Sequence, residues 1–114
     1  MRLTIAERIT LLDLLPRQGN IVTLRLVTDL QRKIALTEEE IKRFGIQQSR
    51  SESGGVLVTW APEFDELRVD ISMSDHEKGI VTREITQLES VGQLTINALS
   101  LYNYFVDRKE PEET

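Results

Sequence analysis

The chain contains no cysteine and a single histidine, His76. The first absence excludes disulfides, thiol nucleophiles, thiolate zinc sites and cysteine-held iron–sulfur clusters. The second leaves a serine triad only one imidazole to use and rules out a histidine-rich metal site within one chain. No apolar run approaches the roughly 18 residues of a membrane span. The opening Met1-Arg2-Leu3-Thr4-Ile5-Ala6-Glu7-Arg8 sets charges where a signal peptide needs an apolar stretch, so the expectation is a cytoplasmic protein with no membrane contact. A phosphate-cradling loop is missing too, because Gly54-Gly55 has neither the lysine nor the following helix that such a loop requires. Aromatic residues are few, and Trp60, Phe64, Tyr102, Tyr104 and Phe105 all fall in the second half.

What is present suits a small folded protein. The 114 residues, 39% apolar and 29% charged, fit one globular domain over residues 1–109, with Glu110 to Thr114 read as a frayed acidic tail. The net charge of −5 is unevenly spread. Residues 1–50 hold nine Lys/Arg against six Asp/Glu, a balance of +3, and residues 51–114 hold five against thirteen, a balance of −8. Nonspecific binding to nucleic acid depends on neutralising phosphates, so the whole chain is a poor candidate for it and its first half a mild one.

Capping-box patterns recur at Thr4/Glu7, Thr37/Glu40 and Ser74/Glu77, each ahead of apolar residues at helical spacing. They predict a first helix with Ile5, Ile9, Leu12 and Leu15 inward, ending before Pro16, and a short third helix carrying Ile41 and Phe44, closed by Gly45. The fourth helix carries Val81, Ile85 and Leu88, weakened by Gly79. Between the first and third, a helix is expected from about Ile21 or Thr23 to Ile34 with Val27, Leu30 and Ile34 inward, and after Thr95 a last helix has Ala98, Leu99, Tyr102, Phe105 and Val106 as its stripe. The polar stretch Gln47 to Gly55 reads as a mobile loop or the approach to a hairpin. Alternation over Val56–Ala61 and Leu67–Ser72 predicts two antiparallel strands joined by the loop Pro62–Glu66. The fold class expected is α+β and mainly helical: three helices, a β-hairpin and two C-terminal helices.

That order resembles a winged helix with a two-helix extension, which implies binding to DNA through the third helix. Arg25, Arg32, Lys33, Lys42, Arg43 and Arg50 are the candidate nucleic-acid contacts. Against this, the third helix opens with Glu38-Glu39-Glu40, carboxylates where base-reading arginine or asparagine belongs, and a solvated helix face is the plainer meaning of the basic residues.

Asp65, Glu66, Asp70, Asp75 and Glu77 are the densest carboxylates, with His76 among them, but they follow no metal-loop or hydrolase spacing. The expectation is therefore no catalytic residue, no metal and no cofactor, with His76 a solvated residue at a helix start. Trp60 is expected in the core. Leu101 and Tyr104 fall off the last helix's stripe and, with Asp65 and Glu66, are the candidate contacts for a protein partner. Glu7-Arg8-Ile9-Thr10-Leu11-Leu12-Asp13-Leu14-Leu15-Pro16, Gly19-Asn20-Ile21-Val22-Thr23-Leu24 and Thr37-Glu38-Glu39-Glu40 resemble small uncharacterised proteins of bacterial viruses and prophages over residues 3–46. The resemblance implies a bacterial cell as the setting and no activity. The leading expectation is a non-enzymatic protein-interaction module that binds a protein partner, or a second copy of itself as a homodimer, through its acidic and aromatic second half. The alternative is a winged-helix transcription regulator.

Overall fold

Side-chain caps set the helix starts. In the computed structural model, which describes residues 1–109, Thr4, Thr37 and Ser74 each accept a hydrogen bond from the backbone N–H of the glutamate three residues on. That glutamate returns the bond to the cap's own N–H, and these boxes open α1 (Ile5–Leu14), α3 (Glu38–Phe44) and α4 (Asp75–Ser90). Asn20 opens α2 (Ile21–Ile34) by accepting from the Thr23 N–H. Gly45 closes α3 at φ 67°, while the Ile46 N–H reaches back to the Ile41 carbonyl at 3.0 Å. The predicted tail at residues 110–114 lies outside the described residues.

The fold is α+β and mainly helical, with the expected order of three helices, a hairpin and two C-terminal helices. The strand pairing differs from expectation. β2 (Gln47–Arg50) forms the hairpin with β3 (Val56–Thr59), in the register Gln47↔Thr59 to Arg50↔Val56. Its turn is Ser51–Gly55, where the Ser51 N–H donates to the Gly55 carbonyl and Gly54 takes φ 86°. β4 (Val69–Asp70) pairs instead with β1 (Arg2–Leu3). Pro62–Phe64 is a 3-10 turn, and Trp60 Nε1–H donates to Asp65 Oδ1 at 2.7 Å across it, so this segment redirects the chain rather than closing a hairpin. Trp60 is half-buried, not a core residue.

The residues divide into two compact units. The first comprises residues 1–35 and 68–109. Its core joins Leu3 and Leu11 with Val27, Leu30 and Ile34 of α2, Ile71, Ile80, Val81 and Ile85, and it extends to Leu101 and Phe105. The second, residues 36–67, holds α3, the hairpin and the 3-10 turn. Phe44 is buried there, 5.0 Å from the Phe64 ring.

The last helix is turned from its expected face. It begins with a 3-10 turn at Ile96–Ala98 and continues as α5 (Leu99–Phe105), and the Thr95 side chain makes no capping bond. Ala98, Leu101 and Phe105 point inward, whereas Leu99 is more than half exposed.

Candidate interaction surface

The proposed contacts Leu101 and Tyr104 are where the sequence reading needs correction. Leu101 is wholly buried in the core of the first unit. Tyr104 donates its hydroxyl to Glu7 Oε2 at 2.6 Å, which turns the Leu101–Tyr104–Phe105 arc of α5 inward and takes Tyr104 out of contention as a free anchor. Glu7 is itself buried. Its Oε1 accepts from the Thr4 N–H at 3.0 Å and from Arg68 Nη1 at 2.9 Å. Arg68 also donates to the Arg2 carbonyl and lies 5.7 Å from the centre of the Tyr104 ring.

Burial alone would raise the Glu7 carboxyl, but the Thr4 backbone bond, the Tyr104 and Ser100 hydroxyls and the Arg68 charge outweigh it and hold the group below the ordinary carboxylate range. The Tyr104 phenol is shifted up, by burial first and then by the carboxylate it faces. A carboxylate so fully supplied with donors is a fastener between α1, the segment at Arg68 and α5.

Arg8, on the next position of α1, is also buried. Its Nε and Nη2 donate at 2.9 Å to the carbonyls of Ile34 and Ala35, so its charge sits at the negative end of α2 and supplies donors to carbonyls that the helix leaves unpaired. Glu77 is the third buried charge: the N-terminal box of α4 holds it, and Lys33 Nζ lies 2.8 Å from its Oε1. Burial would raise this carboxyl as well, and the Lys33 and Ser74 bonds bring it below the ordinary range.

The remaining candidates are spread over the two units. Asp65 and Glu66 are exposed just beyond the 3-10 turn of the second unit, Asp65 tied to Trp60. Arg25 and Arg32 line a shallow depression along α2 with Ile21, Leu24, Thr28 and Asp29, while Lys33, on the same helix, is engaged by Glu77. Lys42, Arg43 and Arg50 are exposed in the second unit, with the Arg43 guanidinium 5.5 Å from the Phe44 ring. His76 is exposed in the first turn of α4. Among the described residues, no three His, Asp or Glu side chains converge as a metal site would require, and no helix is long and apolar enough to cross a membrane.

The surface that the sequence reading missed is the hairpin. Every residue of β2 is exposed, and in β3 Val56 and Leu57, on opposite faces of the strand, are 66% and 54% exposed. Within the described residues β2 and β3 form a sheet of two strands only, so the outer edge of β3 carries no partner strand. The sequence signal was the run Val56-Leu57-Val58-Thr59, four strand-forming residues without charge or proline. Comparisons with protein-family models, with curated proteins and with solved structures find no match to this chain.

Proposed function

We propose that the chain is a non-catalytic protein-interaction module that works through the open edge of β3, and that its partner is a second copy of itself. The observation that carries this reading is the exposure of Val56 and Leu57 on both faces of a strand whose edge is unpaired. A two-stranded hairpin is marginal in water by itself, and a flat apolar edge free of lysine or proline invites another strand. Antiparallel addition of β3 to the β3 of another copy is self-complementary, as a two-fold interface requires. It sets one uncharged Val-Leu-Val-Thr run beside another, covers apolar area on both faces and makes a four-stranded sheet. Asp65 and Glu66, exposed in the same unit, lie at the margin of that contact in this reading. On the resemblance of residues 3–46 to small phage-encoded proteins, the setting is the cytoplasm of a bacterial cell.

Sedimentation equilibrium tests the proposal. The wild-type chain is expected to show a dimer mass that the Leu57→Lys variant loses without change in its circular dichroism, because Leu57 is already exposed and a lysine on an edge strand discourages pairing. A wild-type monomer at high micromolar concentration, or a variant that dimerises as well as wild type, contradicts it.

A second reading, the winged-helix regulator, is favoured by the exposure of Lys42, Arg43 and Arg50 in the unit that holds α3 and its hairpin. It requires binding to duplex DNA that weakens steeply with salt. Binding that is absent at low salt, or indifferent to salt, removes it.

A further inference from the structure

An open recess of about 810 Å3 lies in the first unit between α4, α5 and the turn that follows α5. Three cationic side chains line it, Lys78 and Arg83 from α4 and Arg108 from the turn, against the one carboxylate of Asp75. These cations stand in the half of the chain whose balance of Lys/Arg against Asp/Glu is −8. Thr82 closes the wall between the two helices, its hydroxyl within hydrogen-bond distance of the Lys78 and Phe105 carbonyls at 2.8 and 3.3 Å.

Two lining residues run against their local backbone preference. Gly79 sits inside α4, where glycine weakens a helix, and no packing demands it, since an added Cβ would meet no atom within 4 Å. Its effect is to leave the α4 backbone bare at the recess. Arg108 is the only non-glycine residue at positive φ among the described residues, at 55°, with the Lys109 N–H closing the end of α5 onto the Asn103 carbonyl at 2.9 Å. Glycine or asparagine is the ordinary occupant of such a position. The cation that favours a helix C-terminus is available from Lys109 next to it, so the dipole does not demand arginine at 108. Both departures make sense if something binds between them: a bare floor for close approach, and an arginine in the lining.

We propose that this recess binds a small organic anion, a phosphate monoester with an apolar or aromatic body. Arg83 and Arg108 hold the phosphate, each through its fork of donors, and the body lies over Gly79 against Val106. The site is independent of the β3 edge, so either proposal stands or falls without the other.

Calorimetric titration of the full chain at low ionic strength with phenyl phosphate, and separately with inorganic phosphate, tests it. Phenyl phosphate is expected to bind about tenfold more tightly than inorganic phosphate, since only the ester buries a ring. Arg83→Gln with Arg108→Gln should abolish binding of both. Gly79→Leu should remove phenyl phosphate binding while the melting temperature stays level or rises, a combination that a purely structural role for Gly79 does not produce. Absence of phenyl phosphate binding to the wild type, equal affinity for the two probes, or unchanged binding in either variant overturns the proposal.

Discussion

Glu7 and Arg8 are adjacent in α1, both buried, and each fastens a different part of the first unit: Glu7 ties Arg68 and Tyr104, and Arg8 ties the end of α2. Removing the Tyr104 hydroxyl leaves the Glu7 carboxylate short of a donor in a buried place, so Tyr104→Phe should destabilise the fold by about 1.5 kcal/mol in urea denaturation. Arg8→Met leaves two helix-end carbonyls unsupplied and should cost about 2–4 kcal/mol by the same assay. The acid limb follows from the carboxylates. Glu7 and Glu77 both titrate below the ordinary value of about 4.3, so their contribution is complete above that pH and is lost as pH falls through it and down past their folded values. Glu7→Gln should therefore lower stability at neutral pH and flatten its decline below about pH 4.3 in a pH series of thermal melts. The capping role of Glu7 was legible because its partner Thr4 is three residues away. Its other role was not, because Tyr104 lies 97 residues on and no local spacing announces the pair.

The elements with side-chain caps were the ones the sequence located well. Thr4, Thr37 and Ser74 start their helices where the pattern placed them, since the cap and the bonded N–H are three residues apart. Strand pairing was misread for an equally physical reason. Gln47–Arg50 has no buried face, so the alternation that identifies a half-buried strand is missing from it, and the obvious partner for Val56–Thr59 became the next apolar run. That run belongs to the core of the first unit through Ile71 and pairs with Arg2–Leu3, an edge too short to register as a strand in sequence. Two substitutions separate these elements. Phe44→Ala should cost the second unit about 3–5 kcal/mol, because it removes a buried ring from its contact with Phe64, and loss of amide protection confined to residues 36–67 would report it. Gly79→Ala should stabilise α4 by about 0.5–1 kcal/mol, since the added methyl meets open space. A lower melting temperature would show that the glycine serves the helix after all.

At the scale of the whole molecule, part of the charge in the acidic second half is engaged in internal pairs. Glu77 is buried with Lys33, Asp65 is tied to Trp60, and Lys78, Arg83 and Arg108 line one recess within the same half. Charge arithmetic along the chain was legible. The sorting of those charges between two units and into internal pairs was not, because it depends on contacts such as Lys33 to Glu77 across 44 residues. Among the described residues the outer edge of β3 carries no partner strand, and the most direct test is amide hydrogen exchange at Val56–Thr59 followed as protein concentration rises. In an antiparallel hairpin, alternate β3 amides point away from β2, and among the described residues no third strand pairs with them. Pairing with a second copy predicts that these outward amides become protected with increasing concentration while those facing β2 are protected throughout. Outward amides that exchange equally fast at every concentration would contradict it.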